Sequence, residues 1–268
     1  MNPRVLLIGF VTLVLAFGIG VVIVGNDSWV ADASESEADD EDATADSGTE
    51  TETASADAGH EHDTENPDHA AELQPDQPLD PATRDQLAAQ LTEARDLAMR
   101  YPTVADATAS GYVLAGGFAP LSGAHYVAVS AAGLSSAGGI DVQKPNSLIY
   151  DGTSADSEIV GLMYYGMSGE EQPEGFAGPN DHWHRHRGVC VKFGAGGLEV
   201  PFPADADVTR EQCDEVDGNY MDETGWMVHA WVVPSWESPN GVFSHDNPNV
   251  VCADGTTETD AAGFCQGT

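Results

Sequence analysis

The sequence predicts an α+β domain in which N-terminal amphipathic helices pack on a mainly antiparallel β-barrel or sandwich. Helical apolar spacing is confined to residues 81–110. After Gly111 come six segments rich in Val, Ile, Tyr and Trp, separated by Gly, Pro and Asn. Four cysteines, all beyond residue 189, add an even count of the kind that becomes disulfides in an exported chain.

Residues 1–25 come first. Val5 to Val24 is a run of 20 residues without a charge, long enough at 1.5 Å rise to cross about 30 Å of hydrocarbon. Arg4 precedes it and no Lys or Arg recurs until Arg84, so the positive-inside bias places the remainder outside. Residues 4–24 are therefore expected to hold the protein in the cell membrane as a single-pass anchor, with Trp29 suited to the headgroup interface. Ala31-Asp32-Ala33 has the small-x-small pattern of a signal-peptidase site, which leaves a secreted form as the alternative.

Residues 26–79 read as an acidic, disordered spacer. Between Asp32 and Asp80 there are 18 acidic and no basic residues, half of the net charge of −36, and a segment so poor in apolar side chains cannot build a core. Its Gly59-His60-Glu61-His62-Asp63, with His69, reads as solvated tail rather than as a site. Lys144 and Lys192 are the only lysines, so the folded surface is acidic too. Such a field disfavours nucleic acid and anionic lipid as partners and matches adaptation to high salt.

Residues 80–268 form the expected extracytoplasmic domain. Asp80 caps a helix begun by Pro81, with Leu87, Leu91, Ala94, Leu97 and Ala98 on one face. Tyr101-Pro102 breaks it, and Thr103 to Ser110 makes a second, short helix ended by Gly111. The expected strands are Tyr112 to Phe118, Ala124 to Ser130, Ser147 to Asp151, Glu158 to Gly166, Asp181 to Phe193 and Gly225 to Pro234. Of the three possible pairings of Cys190, Cys213, Cys252 and Cys265, the preferred one joins Cys190 to Cys213 and Cys252 to Cys265, the second pinning a Gly- and Thr-rich terminus. Cys190 as a thiolate ligand is the competing reading.

Chemistry concentrates in Asp181-His182-Trp183-His184-Arg185-His186. A strand throws alternate side chains onto one face, so three imidazoles would share a surface, and imidazole is the commonest ligand of transition metals. His182 and His186 stand near the limit for sharing an ion, which makes His184 the common member of either pair. His229, in the apolar strand Gly225 to Val233, is the leading ligand from elsewhere, because a histidine is costly to bury there without a partner. His125, at the start of a strand, is next. His245, in Ser244-His245-Asp246-Asn247-Pro248, reads as a turn residue. All-nitrogen ligation fits zinc, copper, iron or nickel as cofactor and argues against calcium or magnesium. Neither a Ser-His-Asp signature nor a His-Glu-x-x-His helix occurs, and no catalytic residue is assigned.

The run Gly178-Pro179-Asn180-Asp181-His182-Trp183-His184-Arg185-His186 resembles the first cupin motif, a glycine, five residues and then His-x-His, with Gly197 in place of the closing glycine. The resemblance implies a cupin-like barrel with His184 and His186 as the metal pair. It departs from the pattern where Cys190 replaces the motif's glutamate. His229 falls about where the second motif has its histidine, without the flanking Pro-x-Gly and Asn.

A longer resemblance is to a group of uncharacterised exported bacterial and archaeal proteins. It is carried by Tyr101 to Ala107 with Gly111-Tyr112, by Pro173 to Gly178 leading into the His-Trp-His run and Cys190, and by Met227-Val228-His229-Ala230-Trp231 and Gly241-Val242-Phe243. It implies one folded unit over most of the domain and carries no activity.

Overall fold

The computed structural model describes residues 75–128, 140–166, 171–194 and 197–266, all within the unit Gly59–Thr268. The apolar run 5–24, the Ala31-Asp32-Ala33 site, and the acidic spacer with His60, His62 and His69 lie outside the described residues. Among the described residues, no helix is long and apolar enough to cross a membrane.

Both expected helices form. Helix α1 spans Pro81–Ala98 behind Asp80, whose carboxylate accepts from the Ala82 and Thr83 amides. Helix α2, Val104–Ala109, starts with a capping box in which Thr103 and Asp106 satisfy each other's backbone amides. Ala94, Leu97 and Ala98 of α1, with Val104 and Ala107 of α2, join one buried cluster with residues of the sheet.

That sheet has five antiparallel strands, β1 (Tyr112–Ala119), β2 (Gly123–Ala128), β3 (Ser147–Tyr150), β4 (Ile159–Gly166) and β8 (Trp226–Ala230), in the order β1-β2-β3-β4-β8. A smaller antiparallel sheet holds β6 (Gly197–Glu199), β5 (Arg187–Gly194) and β7 (Asn219–Glu223) in the order β6-β5-β7. Helix α3, Arg210–Glu215, lies between β6 and β7 in the chain. The fold is thus mixed α+β with antiparallel sheets. The barrel expectation, cupin-like closure included, is corrected: β1 and β8 are the two edges of an open sheet and do not pair with each other.

Cross-strand register decides what each face carries, because directly opposed residues share a face. Leu148 faces Leu162, which faces Ala230, and Tyr164 faces Val228. These even-numbered positions are buried against the helices. Tyr150 donates its hydroxyl to the carbonyl of Tyr101, just past α1, at 2.9 Å. Phe176 packs edge-on to Tyr164, while the next amide, that of Ala177, donates to Gln90 of α1 at 2.7 Å. The odd positions are different. His125 opposes Ile149, and Met163 opposes His229.

One strand is shorter than expected. Asp181 to Phe193 forms a strand only from Arg187, because Asp181 organises a local fold instead. Its carboxylate accepts from the Phe176 amide and from Trp183 Nε1, both at 3.0 Å, and its carbonyl accepts the Trp183 amide at 2.9 Å. Gly175 is needed here, since a methyl group at this position would overlap the Asp181 carboxylate. Past Trp183 the chain becomes extended, and His184 exchanges both backbone hydrogen bonds with Met227 of β8, at 2.9 and 2.8 Å. Two residues on, the carbonyl of His186 accepts from Thr224 at 2.8 Å, beside β7. Residues 184–186 therefore pass from the edge of one sheet to the other.

The disulfides join Cys190 to Cys213 and Cys252 to Cys265. The first ties β5 to α3, which excludes Cys190 as a thiolate ligand. The second closes the C-terminal loop, whose Cys265 amide donates to Phe118 of β1 at 2.8 Å.

Candidate metal centre

Five histidines gather on the odd face of the large sheet, and they arrive from four places in the chain. His125 and His229 project from β2 and β8. His184 and His186 come on the crossing segment. His245 comes on the loop after β8. Neighbouring ring centroids are 4.3 Å apart for His184 and His245, 5.3 Å for His184 and His186, 5.2 Å for His186 and His245, 5.1 Å for His184 and His229, and 5.6 Å for His125 and His229.

Within this gathering, His184, His186 and His245 each offer a ligand nitrogen, and those atoms lie within 4.8 Å of one another. Each of the three is 5% exposed or less. Metal–nitrogen bonds of about 2.0–2.1 Å with tetrahedral angles need nitrogens roughly 3.4 Å apart.

The backbone around His245 is fixed by the core. On β8 and just past it, two ring N–H groups donate to consecutive carbonyls of the loop: His229 Nδ1 to His245 at 2.7 Å and Trp231 Nε1 to Ser244 at 2.7 Å. Asn247 adds a clasp, its amide donating to Leu121 at 2.9 Å and its side chain to Trp236 at 2.7 Å. The carboxylate of Asp246 is 3.4 Å from His245 Nδ1, the kind of outer partner that orients a ligating imidazole.

Because a carbonyl only accepts, the His229 bond puts the proton on Nδ1 and leaves Nε2 as an acceptor. Burial pushes this ring's pKa down to about 3, reinforced by the neighbouring His125 and His186 and opposed by the His245 carbonyl. Burial likewise pushes His125 down to about 4, against a hydrogen bond that the ring donates to the Ser122 backbone. Both are neutral at ordinary pH, the form that coordinates or accepts.

The sequence placed His184, His186, His229, His182 and His125 at the site. Of these, His184 and His186 fall within the three-imidazole group, His229 and His125 lie beside it, and His182 stands apart. His182 leaves because residues 181–183 are not a strand: its Nε2 lies 3.2 Å from Asp76 Oδ1 and its ring is half-buried near the surface. His245 was the residue missed. It sits on a bend, as the Ser-His-Asp-Asn-Pro sequence suggests, but the bend is buried and its polar groups bond one another, with the Ser244 hydroxyl 2.8 Å from that of Ser238. A polar turn that is satisfied internally leaves no trace in hydrophobic periodicity. Its nearest sequence signal is the apolar Gly241-Val242-Phe243 just before it. No protein-family model matches the chain, nor does any curated protein or solved structure.

Proposed function

We propose that this protein is an exported domain, held to the outer side of the cell membrane by residues 4–24, that binds one transition-metal ion through His184, His186 and His245. The observation that carries this reading is the convergence of three buried imidazoles from two separate segments onto one point. Burying that much polar surface is costly unless the groups are used. An all-nitrogen donor set favours zinc, copper, nickel or iron. His229 supports the centre from behind by holding the His245 carbonyl. The disulfides support placement in an oxidising compartment. We read the two sheets as an open sandwich, a frame that resembles a cupin only in the His-x-His segment.

Element analysis of the full-length protein, purified without a histidine tag, tests the proposal. It should return close to one transition-metal ion per chain. His184→Ala and His245→Ala should each abolish stoichiometric binding while both disulfides persist, and His60→Ala should have no effect. Protons compete for the same nitrogens, so affinity should fall as pH drops through the imidazole range near 6.5. A native chain that binds no transition metal near neutral pH, or site variants that bind as well as it does, would leave a non-catalytic envelope domain with packed histidines.

A further inference from the structure

The histidine face of the large sheet is not filled. Between it and residues 198–205 lies a cavity of about 160 Å³. A cavity of about 150 Å³ lined by apolar side chains is large enough to hold benzene. One wall is made small by Ala115, Gly117 and Ala119 of β1. Leu198, Val200, Phe202 and Phe264 line it as well, together with Met163 and Met227 of the sheet. His125, His186 and His229, with Ser122, Tyr165 and Asp205, bring polar character to this space, and among the described residues no Lys or Arg lines it.

His229 sets the chemistry. Its ring is 2% exposed, its Nδ1–H is committed to the His245 carbonyl at 2.7 Å, and Nε2 is left to accept. A buried acceptor on an apolar wall is best matched by a ligand that brings its own donor. Without a lining cation, and with the chain at −36 overall, an anionic ligand has nothing in the cavity to offset its desolvation.

We propose that this cavity binds a small uncharged molecule, a compact ring or branched body of benzene size bearing one O–H or N–H group that donates to His229. The proposal deepens the metal reading, since His186 belongs to both the cavity wall and the imidazole group. The ligand's polar end would then lie beside the ion.

Phenol, benzene and benzoate share a ring and differ in its substituent, so they test each part of the claim. Binding to the full-length protein is followed by side-chain imidazole nitrogen shifts in NMR, with and without bound metal. Phenol should perturb His229 and bind about tenfold more tightly than benzene, the worth of one buried hydrogen bond, while benzoate should not bind. Val127→Phe and Ala115→Leu, which fill the cavity from two strands, should each remove phenol binding and leave metal content unchanged. Phenol binding no tighter than benzene, benzoate binding, or phenol binding that survives both filled variants in folded protein would overturn the proposal. Metal content is measured separately in the same samples. A chain that binds phenol but no metal defeats only the metal reading, and one that binds metal but not phenol defeats only the cavity reading.

Discussion

The two faces of the five-stranded sheet are built from the same strands and closed in opposite ways. The helix face is covered by α1 and α2, which immediately precede β1 in the chain, and is filled by Leu148, Leu162, Val228 and Ala230. Its polar atoms are satisfied locally, as in the 3.0 Å bond from Tyr164 Oη to the Val142 carbonyl. The histidine face is covered by segments from later in the chain: the 184–186 crossing, residues 198–205, the His245 loop and the disulfide-closed terminus. Packing on the first face serves stability, whereas the second is left with a cavity and a cluster of imidazoles. Function collects where the covering is assembled from loops on a rigid scaffold.

The widest separation between the faces should come from pairing His245→Ala with Leu162→Ala. The first should lose the metal and keep most of its stability. The second should keep the metal in the folded protein but cost about 2–5 kcal/mol in urea unfolding, the usual range for emptying a buried leucine site. If His245→Ala unfolds the protein, the faces are not separable. Replacing Cys252 and Cys265 together by serine removes a short loop closure worth about 3 kcal/mol, and by loosening Phe264 it should weaken phenol binding more than metal binding.

A smaller effect distinguishes the faces by pH. His229 at about 3 and His125 at about 4 lie below the 6.5 of an exposed imidazole, so the unfolded chain takes up protons that the folded chain refuses. Stability present above pH 6.5 is therefore lost as pH falls toward 4. Asp181, which burial raises to about 6, has the opposite sign, because protonation on falling pH favours its folded form. The two histidines have the larger combined displacement and should dominate. Urea midpoints of the metal-free protein at pH 7 and pH 5 should show the loss, and His229→Gln should flatten it. At the bottom of the scale, Lys144→Ala removes the exposed pair with Asp141 at 2.7 Å and should leave the midpoint unchanged.

The helix face was legible in the sequence for the reason that makes it stable. Asp80, Pro81, the Leu87–Leu91–Ala94 spacing and the Thr103 cap are local signals, and local structure obeyed them. Strands β1 to β4 and β8 could be read from β-branched and aromatic runs. Strand β7 could not, because Asn219 to Glu223 is polar and half-exposed and is held by pairing with β5 rather than by its own pattern. Helix α3 was missed although Thr209 and Gln212 form a capping box, since six residues carry too little periodicity. At the site, His184, His186, His229 and His125 were legible because histidine is conspicuous in strand-like sequence. His182 misled because alternation was extended through Asp181, whose carboxylate bends the chain, and His245 stayed hidden inside a turn.

Phe264 gives the second disulfide a meaning beyond stability. Its ring lies against Gly117, where a methyl group would come within 2.8 Å of it, and it reaches the cavity only because Cys265, bonded to Cys252, is anchored on β1. The imidazoles come from residues before 246, whereas this piece of wall comes from later in the sequence. Synthesis thus delivers the imidazoles before the enclosure, and an oxidation step fastens the enclosure. The pocket reaches its final shape only once the protein has met an environment that can make that bond.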